Sequence, residues 1–338
     1  MEKYLLGCDW GTSSFRLGLY NLMEGGLIEE IQSRDGISGI HRNWQNGNYT
    51  NKGITKNHLF RDNLLKQIGI LSRKTSIKLE NTPVLISGMA SSSIGIEDIP
   101  YADMPFRLDG SQVKSRRFDV QEDFPHEIIL ISGVQSENDV MRGEETQMIG
   151  IWSLLMDRGK QPKEAVFIFP GTHSKHVYIK NAEMIQFKSY MTGEMYQVIG
   201  SHSLLKDSVK MNDEHDASEA DLQAFKTGVK KSRESSILNG MFNVRTNQLF
   251  NRLNKIQNAY YLSGLLIGSE LNDLVIKQDL PLYLCSGKNL YQLYKLALEE
   301  LKLSLRTTYV DIDLVESAAM TGQKIIYDQY VNNKLLNE

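Results

Sequence analysis

Two glycine turns, separated by about 160 residues, constrain the fold of this chain more than any other feature. They are Asp9-Trp10-Gly11-Thr12-Ser13-Ser14 and Pro170-Gly171-Thr172-His173-Ser174-Lys175, and each joins two predicted strands. An isolated turn of this composition is an ordinary hairpin turn, because Gly, Asp and Ser are common there. Two such turns at matching places in the sequence indicate an internal duplication.

The elements predicted around the two turns follow the same order twice. In each half, hydrophobic patterning gives three strands, a helical region, and then further strands and helices. The first half has strands at 4–9, 14–20, 26–33, 83–86 and 128–131, and helices at 56–78 and 144–158. The second half has strands at 165–170, 175–180, 184–189, 281–285 and 307–312, with helices over most of 194–277 and at 287–302 and 314–335. We expect surface insertions at 40–57 and 207–221, and a long loop or flap at 107–127.

Length and charge set broad limits on the protein. At 338 residues the chain is long for one hydrophobic core, so we expect two domains, residues 1–160 and 161–338. The net charge is −3 and no long basic block occurs, which argues against nucleic acid as a partner. No apolar run reaches the ~18–20 residues of a membrane span. Cys8 and Cys285 are expected to be reduced core residues, so the expected location is the cytoplasm.

The composition of the two turns predicts phosphate binding. Glycine lets the backbone approach a ligand, and successive N–H groups form an anion-binding concavity, to which hydroxyls add neutral donors. Asp9 ends the first strand and is suited to hold a divalent cation, directly or through water. Lys175 either neutralises the transferring phosphate or faces solvent from its strand. The residues expected to bind phosphate groups are Gly11, Thr12, Ser13, Gly171 and Thr172.

Six stretches of the chain resemble the 2-dehydro-3-deoxygalactonokinase family of the actin, hexokinase and Hsp70 superfamily. They are "CDWGTSSFRLGLY" at 8–20, "SGMASSSIGIEDIPY" at 87–101, "VMRGEETQMIG" at 140–150, "FPGTHSKHV" at 169–177, "MTGEMYQVIGSHSLL" at 191–205 and "LSGLLIGSEL" at 262–271. The combination of "MRGEETQ" and "PGTHSK" is specific to this family. Ser91-Ser92-Ser93 departs from a more usual Gly-Ser step, and Ile96 and His176 stand where Trp is usual.

The resemblance implies a fold and an activity. The fold would be two duplicated ribonuclease H-like α/β domains with mixed sheets flanked by helices and a hinged active-site cleft. The activity would be transfer of the ATP γ-phosphate, with Mg²⁺, to the 6-hydroxyl of 2-dehydro-3-deoxy-D-galactonate, in galactonate or galactose catabolism. The partner would be this small sugar acid, and the chain could form a homo-oligomer.

The resemblance also points to a general base at the start of the helix over 144–158. In sugar kinases of the superfamily a Gly-Asp-Gln stretch lies at this point and its Asp is the base, and Gly143-Glu144 matches Gly-Asp. Glu145 is the alternative base. Both acids could instead only complement the helix dipole, because an acid in the first helical turn is stabilised there without any catalytic role.

The remaining site residues each have a functional and a plain structural interpretation. Arg142 would bind the substrate carboxylate through two parallel bonds, or is a surface arginine. Glu194 starts a helix, so dipole complementation is its alternative. The expected sugar-binding residues are Met89, Ser91, Ser92, Glu97, Arg142 and Glu194.

The second half also contains an expected nucleoside site. Ser286 and Gly287 lie where the superfamily places adenine and ribose, although a plain strand-to-helix turn also explains them. Gly264 and Gly268, four residues apart in an apolar helix, predict close helix packing.

Three alternatives to this kinase remain at the level of sequence. The nearest is a kinase for another small sugar acid or a ketose. A phosphoanhydride phosphatase of the same fold and an actin-like filament protein are more distant, because one fold supports several functions. The "MRGEETQ" match favours the kinase over these last two.

Overall fold

The computed structural model describes residues 3–47, 49, 53–211, 216–276 and 279–337. The chain divides into two compact units. The first unit comprises Met1–Gln161, Ala182–Gln186 and Asp313–Glu338, and the second comprises Pro162–Asn181 and Phe187–Ile312. The last helix therefore belongs to the unit formed by the first half of the sequence.

The described residues form a mixed α/β structure. The helices are α1 (Ile37–Asn46), α2 (Lys56–Thr75), α3 (Glu144–Asp157), α4 (Thr192–His202), α5 (Glu219–Glu234), α6 (Ile237–Leu249), α7 (Lys255–Ile276), α8 (Lys288–Glu300) and α9 (Ile312–Asn337). The longer strands are β1 (Tyr4–Trp10), β2 (Phe15–Asn21), β3 (Gly26–Ser33), β4 (Val84–Gly88), β7 (Ser115–Phe118), β8 (Ile128–Ile131), β11 (Glu164–Phe169), β12 (Ser174–Lys180) and β13 (Glu183–Tyr190). The shorter strands are β5 (Ala102–Asp103), β6 (Phe106–Arg107), β9 (Val134–Gln135), β10 (Val140–Met141), β14 (Leu282–Leu284) and β15 (Thr307–Tyr309).

The sheet of the first unit has the order β3-β2-β1-β4-β8-β7. Its first three strands are antiparallel neighbours, whereas β1, β4 and β8 run parallel. The register places Asp9 beside Arg16 of β2 and Ser87 of β4. The last residues of β1 and β4 therefore lie side by side at one edge of the sheet.

The sheet of the second unit repeats this order as β13-β12-β11-β14-β15. Here too β11 is antiparallel to β12 and parallel to β14, which is parallel to β15. At its start, β13 also pairs with the short strand β6, through Glu183–Arg107 and Met184–Phe106. The duplicated mixed-sheet fold predicted from the sequence is confirmed by this topology.

Each unit has its own hydrophobic core. In the first unit, Trp10 packs edge-on against Phe15 and Phe60, with ring centroids 5.0 and 5.5 Å apart. In the second unit, helices α5 and α7 cover one face of the sheet with Phe225, Ile267 and other buried apolar residues. Burial of such side chains stabilises each by roughly 1.5–3 kcal/mol. Cys8 and Cys285 are buried and free, which confirms their prediction as core residues.

Glycines bring several helices unusually close together. A Cβ on Gly264 would lie 2.1 Å from the carbonyl oxygen of Phe225 in α5, and one on Gly268 would lie 3.0 Å from the Cα of Val229. The close helix packing predicted for these two glycines is thus confirmed. In the first unit, a Cβ on Gly150 of α3 would lie 1.9 Å from the carbonyl oxygen of Ala318 in α9.

The prediction of insertions and a flap was wrong in part. Helix α1 occupies 37–46, where Ile37 and Ile40 are buried. The sequence did not indicate it because its only apolar residues are Ile37, Ile40 and Trp44 in an otherwise polar stretch. Strand β7 lies within 107–127 and pairs with β8, although its residues Ser115–Phe118 are mostly exposed and lack apolar alternation. Residues 48, 50–52 and 212–215 of the predicted insertions lie outside the described residues. No helix in the described part of the chain is long and apolar enough to cross a membrane.

Candidate active site

The first glycine turn joins β1 to β2 and is braced by the start of α1. The Gly11 N–H donates to the Ser14 carbonyl oxygen at 2.9 Å. The N–H groups of Ile37 and Ser38 donate to the Gly11 and Thr12 carbonyl oxygens, both at 3.0 Å. The side chains of Thr12 and Ser13 are exposed. Backbone carbonyls therefore hold the turn in place, while the hydroxyls predicted to contact phosphate face outward.

Asp9 lies where three segments of the first unit converge. A Cβ on Gly88 would lie 3.3 Å from Asp9 Oδ1, and a Cβ on Gly143 would lie 3.8 Å from the same oxygen. Both glycines have positive φ, 85° and 106°, which side chains rarely tolerate. Burial raises the pKa of Asp9 to about 6; the Arg16 guanidinium opposes this rise and the Glu144 carboxylate adds to it. The acid thus sits in a space kept open by glycine.

The two candidate bases are placed differently at the start of α3. Glu145 is 1% exposed, and its carboxylate accepts bonds from the Gly143 N–H at 2.7 Å and the Thr146 hydroxyl at 2.8 Å. Burial raises its pKa to about 7; the Thr146 hydroxyl opposes this rise, and the Glu144 charge adds to it. Glu144 is partly accessible and interacts electrostatically with Asp9. Glu145 is therefore enclosed at the helix start, and Glu144 is the more accessible of the two acids.

Arg142 is engaged by the chain segment that follows β4. One terminal nitrogen donates to the Ser91 carbonyl and to its hydroxyl at 2.8 Å. The other donates to Asp98 at 3.0 Å and to the Ile99 carbonyl at 3.2 Å. The guanidinium also stacks over Tyr101, 4.0 Å from the ring centre, and the side chain is 4% exposed. A substrate carboxylate that binds through two parallel bonds would have to replace one of these partners, because Nε is the one guanidinium nitrogen without a hydrogen-bond partner among the described residues. The exposed Asp98 is the partner that solvent reaches.

The other predicted sugar-binding residues of the first unit lie in the same segment. Ser91 and Ser92 are buried, and their hydroxyls donate to the carbonyls of Gly88 and Met89. Met89 is partly accessible. Glu97 forms an ion pair with Arg116 at 3.4 Å. The two serines therefore shape the turn after β4, and Met89 and Glu97 are the more accessible members of the set.

The second glycine turn is braced by α4. The Glu194 N–H donates to the Thr172 carbonyl at 3.0 Å, and a Cβ on Gly193 would lie 2.7 Å from the Gly171 carbonyl oxygen. The Glu194 carboxylate contacts the His173 ring, and both side chains are partly exposed. Lys175 is only 4% exposed, and its ammonium donates to the His173 carbonyl at 3.0 Å. Lys175 is thus not a solvent-facing strand lysine, and its role in neutralising phosphate stays a prediction.

A cavity of about 260 Å³ opens beside this turn within the second unit. Gly171 and Gly193 form its end at the turn, and helices α7 and α8 form its mostly apolar walls. The other lining residues are Thr192, Tyr196, Lys210, Ile256, Ala259, Tyr260, Ser263, Leu266, Ile267, Leu290, Leu293 and Tyr294. A cavity with apolar walls and a few polar groups is typical of a small-molecule site.

The sequence did not identify the residues that line this cavity. Ser286 and Gly287, predicted to bind the nucleoside, are not among them; Gly287 instead precedes α8, and the Ser286 hydroxyl donates to the Gly287 carbonyl. The available signal was the helical spacing of Ile256, Tyr260 and Ser263, which places them on one face of α7. That face also resembles an ordinary core face, so spacing did not distinguish the two.

Two sheets of the same strand order, each with a glycine-hydroxyl turn in its first hairpin, define the actin-, hexokinase- and Hsp70-like class of kinases and ATPases. Within this class, the sequence model of the 2-keto-3-deoxy-galactonokinase family matches residues 9–322. The chain belongs to this family and is a phosphotransferase of the kinase type.

Individual relatives agree with the family match over nearly the whole chain. A Rhizobium meliloti (strain 1021) protein named as a probable 2-dehydro-3-deoxygalactonokinase is 29% identical, covering 94% of this chain and 96% of its own. The 2-dehydro-3-deoxygalactonokinase of Escherichia coli (strain K12) is 28% identical, covering 88% and 90%. A crystal structure from Sinorhizobium meliloti, of a protein assigned the same activity, has a TM-score of 0.75 at 27% identity and covers 96% of each chain.

Proposed function

We propose that this kinase transfers the γ-phosphate of ATP to the 6-hydroxyl of 2-dehydro-3-deoxy-D-galactonate. The observation that carries the proposal is the extent of the family match, residues 9–322, which includes both glycine turns and Glu144. The two curated relatives bear the name of this activity. Phosphoryl transfer requires little covalent chemistry from the protein beyond positioning, charge neutralisation and a proton acceptor.

In this proposal the first unit supplies the proton acceptor. Glu144 takes the proton from the attacking hydroxyl, because it is partly accessible whereas Glu145 is enclosed and accepts bonds from the backbone and Thr146. Arg142, Met89, Ser91, Ser92 and Glu97 form the sugar-acid site, with the serines shaping the turn. Arg142 binds the carboxylate by releasing Asp98, which is the solvent-exposed partner of its guanidinium.

The residues around Asp9 fit a magnesium ion that accompanies the nucleotide. Mg²⁺ prefers oxygen ligands and is bound in kinases by one or two carboxylates together with phosphates and water. Asp9 provides one such carboxylate, and Gly88 and Gly143 leave open the space that side chains would fill. When bound, the ion would neutralise charge on the phosphates. Although the pKa of Asp9 is raised to about 6, its carboxylate is still mostly ionised at neutral pH and can take this role.

The second unit supplies the nucleotide site. Gly171 and Thr172 would contact phosphates, and Ser286 and Gly287 would approach the ribose. Glu194 stays a predicted sugar-acid ligand, and it contacts His173 of this turn. The cavity beside Gly171 would take the adenine base between α7 and α8, since its walls are mainly apolar and its end lies at the phosphate turn. ATP is the expected donor for this site.

A coupled assay for ADP release, run over a panel of sugar acids, ketoses and hexoses, tests the proposal. We expect 2-dehydro-3-deoxy-D-galactonate to give the highest kcat/KM, and the product to carry phosphate on its 6-hydroxyl. A higher kcat/KM for another sugar acid or for a ketose would identify that compound as the substrate instead. Phosphate release at full rate without any acceptor would replace the kinase by a phosphatase.

A further inference from the structure

The carboxylate of Glu270 in α7 is a buried hydrogen-bond acceptor that joins several elements of the second unit. Its side chain is 1% exposed and accepts bonds from three groups on three different elements. The Thr192 hydroxyl of α4 and the Tyr294 hydroxyl of α8 donate to one oxygen, at 2.5 and 2.7 Å. The other oxygen lies 3.0 Å from Nε2 of His176 in β12, whose side chain is fully buried. A buried carboxylate is costly unless it is satisfied in this way.

Two of these three partners lead directly to the second glycine turn. The Tyr294 hydroxyl lies 2.9 Å from the Ser174 hydroxyl, which accepts from the Gly171 N–H at 3.4 Å. Thr192 lies two residues before Glu194 in α4, and the Glu194 N–H donates to the Thr172 carbonyl. Glu270 is therefore linked to both ends of the turn, although it does not itself touch it.

The same two partners also line the cavity beside the turn. Thr192 and Tyr294 are lining residues, and Leu266 and Ile267 of α7 contribute to the wall one turn before Glu270. Loss of the carboxylate would release the turn and two residues of the cavity together. The arrangement thus couples the position of the phosphate turn to the shape of the cavity.

We infer that Glu270 is a positioning residue for nucleotide binding: through Thr192 and Tyr294 it fixes the second phosphate turn against the cavity. This inference rests on the proposed function for the assignment of turn and cavity to ATP. A leucine fills about the same space as Glu270 but accepts none of the three bonds. A glutamine can keep its oxygen towards the Thr192 and Tyr294 hydroxyls and its NH₂ group towards His176, which accepts in its Nδ1–H tautomer, so it is the conservative variant.

The test is Glu270→Leu, with Glu270→Gln as the conservative variant and Asp273→Asn as the matched control. Asp273 is an acid one helical turn further along α7 that accepts from Lys188 and Tyr190. We expect Glu270→Leu to weaken ADP binding in calorimetry, and to raise the KM for ATP, by about tenfold, and Glu270→Gln to restore most of this loss. The KM for the sugar acid should stay within about twofold. Asp273→Asn should leave all three values within about twofold.

A smaller change provides the same information if Glu270→Leu fails to fold. Tyr294→Phe removes only the hydroxyl that joins Glu270 to Ser174, and we expect ADP binding to weaken by about threefold to fivefold. Unchanged ADP affinity in a folded Glu270→Leu, or in Tyr294→Phe, would overturn the inference, as would equal losses in Asp273→Asn. ADP binding needs no sugar acceptor, so calorimetry tests the role of Glu270 separately from the substrate. A wild type that binds ADP but does not phosphorylate the sugar acid would refute only the proposed substrate.

Discussion

The first hairpins of the two units share a scaffold but present different chemistry. β1 ends in Asp9 and Trp10 before Gly11-Thr12, whereas β11 ends in Phe169 and is followed by Pro170 before Gly171-Thr172. The first turn lies beside a cluster of Asp9, Gly88, Gly143 and Glu144. The second lies beside an apolar cavity and over the buried Glu270. A duplicated sheet thus repeats the backbone turn, and the residues at the strand ends decide what each copy does.

Under the proposed function, the first unit would supply the reaction chemistry and the second unit would hold the nucleotide. In the first unit, carboxylates with raised pKa values, about 6 for Asp9 and about 7 for Glu145, crowd one edge of the sheet. Such crowding of acids is typical of functional sites. In the second unit, the buried carboxylate of Glu270 accepts bonds from protein groups and faces no accessible space. Substitutions in the two units should therefore affect different kinetic constants.

The largest expected effect is on turnover, from Glu144→Gln. Glutamine keeps the size of the side chain but lacks the basic oxygen, so kcat should fall by roughly 10²–10⁴-fold if Glu144 is the general base. Nucleotide affinity should barely change, because the cavity and the second turn belong to the other unit. The measurement is kcat with ADP affinity, and Glu145→Gln is the control. A large drop only in Glu145→Gln would transfer the role to Glu145.

The next effect concerns the metal, through Asp9→Asn. We expect turnover to fall by about 100-fold or more, since a metal ion contributes several kcal/mol of charge stabilisation. For the wild type, protonation of Asp9 below pH 6 should raise the Mg²⁺ concentration needed for half-maximal rate, by up to about tenfold per pH unit. Asp157→Asn, an exposed acid at the end of α3, should have no effect. Wild-type turnover in Asp9→Asn at saturating Mg²⁺ would contradict the metal role.

A smaller effect is expected on substrate binding, from Arg142→Lys. Lysine cannot reproduce the two-nitrogen fork, so the KM for the sugar acid should rise by about tenfold while the KM for ATP changes little. An amide analogue of the substrate, which lacks the carboxylate, distinguishes direct carboxylate binding by Arg142 from a purely structural role of this side chain. If Arg142 binds the carboxylate, variant and wild type should treat the amide alike. If Arg142 only braces the segment at Ser91 and Ile99, the variant should bind the amide poorly as well.

The smallest effect on turnover is expected from Glu145→Gln, whose main consequence is for stability. The folded-state pKa of about 7 lies above the ordinary value of 4.5, so the folded protein binds the extra proton between these values. Wild-type stability should therefore fall as pH rises from 4.5 to 7, by at most about 3 kcal/mol, and Glu145→Gln should lack this loss. Melting temperatures of both proteins at pH 5 and pH 8 measure it. Parallel changes in the two proteins would show that Glu145 is not the titrating group.

The sequence predicted the parts of the fold that depend on local pattern. Strands with continuous apolar runs, such as Val84–Ile86 and Ile128–Ile131, were found where expected because burial on both faces leaves a strong signal. Helix α1 and strand β7 were missed because most of their residues are polar and neither shows a clear hydrophobic period. The close approach of α7 to α5 at Gly264 was predicted, since small residues four apart allow it.

The sequence by itself predicted the two glycine turns and the adjacent acids Glu144 and Glu145, because each of these is a contiguous motif, and it predicted the duplication because one order of elements occurs twice. Only the tertiary structure decided that Arg142 is already engaged, that Glu145 is enclosed and that Lys175 is buried, since burial and the bonds of Arg142 depend on how the segments pack. It also placed α9 in the first unit, where the Gln323 amide donates to the Cys8 carbonyl at 2.9 Å and the Ser87 hydroxyl at 2.7 Å. A partner more than 300 residues away leaves no local pattern, so only the folded chain reveals it.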